Sequence, residues 1–256
     1  MARFSTYHWQ GVVLPDPALD AARSELESPS SDHAAVQAFV TVLRSGDTAA
    51  TGIALDHYHY AISMERYGLG SDLRTYGDEA LECARRILGK PAVPTPEAEP
   101  DLAGAGCSSA LLIMINRAEQ EDSDLIAGAL ESPANFDAES AAFRSAGRIL
   151  QHSIEPNRRL VTALSAVVFD ELRHTDDRLE ALQALAKSET PQALAELERA
   201  TDLDDLQLQA TAARALCVHD FAGHRDLIEE KVASWPADAP HPASDVRDIL
   251  GEKLKA

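Results

Sequence analysis

The sequence predicts an all-α protein of about 12–14 helices stacked as antiparallel pairs. Three observations carry this. A six-residue pattern returns four times, as Cys83-Ala84-Arg85-Arg86-Ile87-Leu88, Ser145-Ala146-Gly147-Arg148-Ile149-Leu150, Glu180-Ala181-Leu182-Gln183-Ala184-Leu185 and Thr211-Ala212-Ala213-Arg214-Ala215-Leu216. Its second position is always Ala and its sixth always Leu; its last three copies start 35 and 31 residues apart. Self-similarity at such a period marks a helical repeat array. Outside the hexads, apolar residues recur at helical spacing, and no sustained β-branched alternation of strand type is found.

The elements follow in order. Residues 1–17 read as irregular up to Pro15 and Pro17, and Asp16 opens a helix with Leu19, Ala22 and Leu26 on one face. Pro29 and the Ser30-Ser31-Asp32 cluster supply a turn and an N-cap. A second helix runs from about His33 to Arg44, with Val36, Phe39, Val40 and Leu43 in period. Gly46 stops it and Asp47 caps a third helix, about Thr48 to Tyr67. Another spans about Gly77 to Leu88. Pro91, Pro94, Pro96 and Pro100, with Glu97, Glu99 and Asp101 among them and Gly104 and Gly106 closing the stretch, read as a loop or linker over 91–106. Helices are then expected at Ala110–Ala118, Asp124–Leu130, Asp137–Gln151, Asn157–Phe169, Asp177–Ala186, Pro191–Ala200, Leu206–Val218 and His224–Trp235. Asp176, Thr190 and Asp205 stand where N-caps belong, and Pro191 occupies a first helical position. The domain organisation so read is a helical cap and first repeat over 1–90, the linker over 91–106, and a repeat array over 107–256.

Helix pairs of this length with an Ala-x-Arg-x-Leu signature in the first helix resemble HEAT-like repeats, from about Ser71 to Trp235. That resemblance implies a right-handed α-solenoid, in which Ala at position two lets helices approach and Leu at position six fills the groove between them. It implies a fold only. HEAT-like proteins include scaffolds, metal-dependent hydroxylases, bilin lyases and alkylpurine DNA glycosylases, so function has to come from a site.

Composition narrows the functions. The formal net charge is −19, with residues 91–256 carrying 15 basic and 30 acidic residues. Such a field repels phosphate backbones, which disfavours nucleic acid, and attracts a basic partner. The N-terminus has no apolar signal segment and no run is long enough to span a bilayer. Three scattered cysteines, Cys83, Cys107 and Cys217, suit a reduced, cytoplasmic chain. There is no G-x-S-x-G, no G-x-x-x-x-G-K and no G-x-G-x-x-G. Glu171-x-x-His174 is a single copy, whereas di-iron bundles need a twin and two further Glu. The iron-binding His-Glu motifs of HEAT-like hydroxylases are missing. No catalytic residue, metal or cofactor is therefore expected.

The candidate surface is His57, Tyr58, His59 and Tyr60, continued to Tyr67, because every Tyr of the chain falls in its first 76 residues. On a helix, His57, Tyr60 and Tyr67 share one face and Tyr58 and His59 another. Such a helix is packed on both sides, or packed on one and open to a ligand on the other. Two functions follow. One is an acidic, non-enzymatic repeat protein that binds another protein, as an adaptor or an inhibitor of immunity type. The alternative is an enzyme or small-molecule binder with a His/Tyr pocket in the N-terminal helices.

Overall fold

The computed structural model describes residues 9, 12–63, 69–90, 101–132, 139–153 and 157–255. Among them are fourteen α-helices and no strand. None of these helices is long and apolar enough to cross a membrane. The chain divides into two compact units, Met1–Arg117 with Gly128–Ser145, and Ala118–Ala127 with Ala146–Ala256. The division therefore runs through α7 (Ser123–Glu131) and α8 (Glu139–His152), not through the Pro-rich stretch.

The first unit is built around α3 (Thr48–Ser63). It packs against α1 (Pro17–Glu27), α2 (Asp32–Leu43), α4 (Leu69–Arg74), α5 (Gly77–Leu88) and α6 (Leu102–Met114). Enclosure by five helices explains its apolar character on every side, with all residues from Ala50 to Tyr58 buried. The caps follow the polar residues: Asp16 accepts from Ala18 N–H, Ser31 from Ala34 N–H and Asp47 from Ala50 N–H. Where α3 meets α6, Gly52 lies so close that a methyl there would stand 3.3 Å from Gly106 Cα and 2.6 Å from Trp9 Cζ2.

The second unit holds α9 (Arg158–Val168), α10 (Thr175–Leu185), α11 (Pro191–Ala200), α12 (Leu206–His219), α13 (Phe221–Ser234) and α14 (Ala243–Lys253). Most of these helices touch both their neighbour in sequence and the helix two places on, as in α9·α11, α10·α12 and α12·α14. The hexads explain the contacts. Ala84, Ala146, Ala181 and Ala212 are fully buried, as are Leu185 and Leu216 at position six; Leu150 is nearly so, while Leu88 is half-buried. Position four is exposed in every copy, at Arg86, Arg148, Gln183 and Arg214. Positions two and six lie one turn apart on one face, so the pattern separates a packed side from an open one. Gly147 lets α8 approach α10 closely: a methyl there would meet Ala184 Cα at 3.3 Å.

A second device joins successive elements. Arg148 Nε donates to Ala118 O (3.1 Å), Arg178 Nε to Val168 O (2.8 Å), Gln209 Nε2 to Leu203 O, and Arg247 to Ala237 O (3.3 Å) and Trp235 O (3.5 Å). Each carbonyl lies at or just past the end of an earlier helix, where backbone acceptors lack an intrahelical donor.

The structure corrects several expectations. Residues 101–106 are not linker: Asp101 caps α6 through Gly104 N–H, and Gly104 and Gly106 are buried within it. The remainder of the expected linker, 91–100, lies outside the described residues, as does the last part of the third helix from residue 64 to 67. The cap of α10 is His174, which accepts from Asp176 N–H, rather than Asp176 itself. Two helices unforeseen in the sequence, α4 and α14, complete the count.

Candidate functional site

The open sides of α8, α10 and α12 line one groove of 1070 Å³. Position four supplies Gln183 and Arg214, position one Thr211, position five Ala215 and position six Leu150. The residues just past each hexad extend it: Gln151 on α8, Ala186 and Lys187 after α10, and Val218 and His219 at the end of α12. Pro191 and Pro242 flank it. The groove thus comes from the register of the repeat. A residue two positions from a buried Ala or Leu, about half a turn round the helix, faces the other way, as Gln183 and Arg214 do at position four.

Its edges are held by polar contacts. His219 Nε2 donates to Ala186 O at 2.8 Å, tying the end of α12 to the end of α10, while its Nδ1 stands 3.3 Å from Glu189 Oε1. Arg214 Nε is 3.7 Å from Asp245 Oδ2, and His241 Nδ1 is 3.1 Å from the other oxygen of the same carboxylate. Val218 is an exposed aliphatic side chain in the groove, 59% accessible. Beneath the groove wall, burial pushes the Cys217 thiol up to about 11, so it stays a neutral, unreactive filler.

The residues singled out in the sequence separate. His57 and Tyr58 are core residues, 5% and 6% exposed. Tyr58 stacks on Phe39 with ring centroids 6.1 Å apart, and burial raises its hydroxyl above the ordinary range against the pull of Arg117 and Arg74. His59 and Tyr60 are half-buried at the C-terminal part of α3, edge to face at 5.6 Å. Burial holds His59 below the ordinary imidazole range; hydrogen bonding at the Leu112 backbone opposes this, and Arg144 adds to it. Burial also raises Tyr60, with the Asp56 carboxylate adding to it. Tyr67 lies outside the described residues. The structure brings His59 and Tyr60 together but gives His57 and Tyr58 no open face.

Glu171 and His174 do not share a helix: Glu171 sits in the turn after α9 and His174 caps α10. Among the described residues no group of three or more His, Cys, Asp or Glu is placed to hold a metal ion. Sequence reasoning missed Lys187, Val218 and His219. Their signal was available, since all three follow a hexad by two or three positions.

No protein-family model, curated protein or solved structure matches this chain.

Proposed function

We propose that this chain is a non-enzymatic α-solenoid of HEAT-like type that holds another protein in the groove across α8, α10 and α12. The observation that carries the reading is that successive hexads deliver their exposed positions, Gln183 and Arg214, to one continuous surface with an exposed Val218. A repeat whose packed side stacks neighbours and whose open side forms a shared concavity is the usual construction of an extended binding surface. The contacts α10·α12 and α12·α14 among first helices, and α9·α11 among second helices, support stacking of this kind. His57 and Tyr58 are committed to the packing of α3, which moves the proposed partner surface from α3 to the groove. The basic partner suggested by net charge finds no support in the lining, where Glu189 is the single carboxylate.

A photo-reactive amino acid at Val218 tests the reading against the same group at Arg225, which lies on α13 outside the groove lining. A partner captured from native extract at position 218, absent at 225, and lost when Thr211→Trp fills the groove supports it. Equal capture at both positions, or capture indifferent to Thr211→Trp, removes it.

A further inference from the structure

The groove differs in charge from the chain around it. The whole chain carries a formal −19. The lining carries two permanent cations, Lys187 and Arg214, two imidazoles, and only one carboxylate, Glu189. That carboxylate is turned to His219. Arg214 has Asp245 beside its Nε yet stays 52% exposed. Lys187 makes no ion pair among the described residues, and its stem packs against Gly147, with Cγ 3.6 Å from where a methyl would be. An exposed cation kept in a strongly acidic protein, on a concave surface lined by successive hexads, is suited to anchoring an anion.

The rest of the lining says which anion. Gln183 and Gln207 present amides that both donate and accept, suited to a backbone without internal hydrogen bonds. Val218 offers an apolar seat. Packed helices lie ~8–10 Å apart, and a polyproline-type strand advances ~3.1 Å per residue with three residues per turn, about 9 Å per turn. Side chains three apart on such a strand therefore meet successive first helices. A nucleic acid, with a charge at every phosphate, is strongly repelled by the surrounding field; a short segment with a few carboxylates is repelled far less.

We propose that the groove takes an extended, acidic, polyproline-like segment of a partner protein. Carboxylates three residues apart engage Lys187 and Arg214, and an apolar side chain rests on Val218. This rests on the adaptor reading above and gives it a ligand class.

The test is fluorescence anisotropy with a short fluorescein-labelled peptide that carries Glu at every third position among Pro and Val, and twins with Gln or Lys in place of Glu. The Glu peptide should bind at least ~10-fold more tightly than the Gln peptide, and more weakly as salt screens the contact. Lys187→Glu and Arg214→Glu should each weaken it ~10-fold with an unchanged circular dichroism melt, and the double reversal should bind the Lys peptide instead. Equal binding of the Glu and Gln peptides, or a Glu peptide indifferent to Lys187→Glu, overturns the acidic ligand. If the Gln and Lys peptides bind and Val218→Asp abolishes them, the acidic preference falls while the groove reading survives. If no peptide binds, the acidic segment falls, and cross-linking from position 218 decides the groove on its own.

Discussion

The indole N–H of Trp9 donates to Ser109 Oγ at 3.0 Å, joining residues 100 apart in the chain. The same ring covers Gly52 on the seam between α3 and α6, where a methyl would stand 2.6 Å from Cζ2. Gly52→Ala should therefore lower stability by ~1–3 kcal/mol through overpacking, despite the better helix propensity of Ala. The thermal midpoint reports it. A midpoint at or above that of the parent would mean that the ring yields without loss.

Leu216, at position six of the last hexad, is fully buried. Leu216→Ala should cost ~2–5 kcal/mol in urea unfolding, as removal of a buried Leu does. A cost under ~0.5 kcal/mol belongs to surface positions and would break the register of the repeat.

Asp205 accepts from Gln207 N–H at 2.8 Å and Leu208 N–H at 3.1 Å at the start of α12. Replacement by Ala should cost ~0.5–2 kcal/mol, and by Asn much less, since Asn caps almost as well. Equal losses for the two would assign the effect to charge, not to capping.

Burial keeps His59 below its ordinary value of 6.5 in the folded chain. The unfolded chain then binds the proton more readily. The contribution of this residue is constant well above pH 6.5, turns against folding as pH falls through that value, and levels off below the folded pKa. Denaturation midpoints of the parent and His59→Asn should diverge with pH over that window. Parallel curves would show that the ring titrates freely in the fold.

Cys83 and Cys217 are buried, and desolvation raises both thiols. A chromogenic disulfide reagent should label them at the rate of unfolding, with urea accelerating the reaction as it opens the fold. Rapid labelling of Cys217 in the native protein would contradict the packing of α12.

Helix existence and capping were largely legible along the chain. The α5 and α11 spans, and the caps Asp16, Ser31, Asp47, Thr190 and Asp205, follow from local chemistry that side chains express in any context. The start of α6 was hidden because Gly104 and Gly106 read as breakers; here both are buried in a helix that Asp101 caps and that packs on α3 and α5, which outweighs their poor propensity. Six-residue α4 is too short to show a period. The groove was hidden for another reason. Its residues are scattered from 150 to 242, and only stacking of the hexad faces puts Lys187 and Val218 on one surface. The aromatic cluster drew attention to α3 because Tyr and His are common at interfaces, but five packed neighbours use that same apolar bulk for the core.

The side-chain bonds from Arg148, Arg178, Gln209 and Arg247 give the C-terminal unit a direction. In each, a residue later in the chain completes a carbonyl left open by an earlier helix, so each helix pair is finished by its successor. Trimming the chain back to Asp205 would remove Gln209 and leave Leu203 O, in the turn after α11, without its donor. Pairs are therefore not interchangeable modules. A shortened or spliced version would need a purpose-built terminal pair, with a donor for the last open carbonyl and a polar outer face, to fold at all.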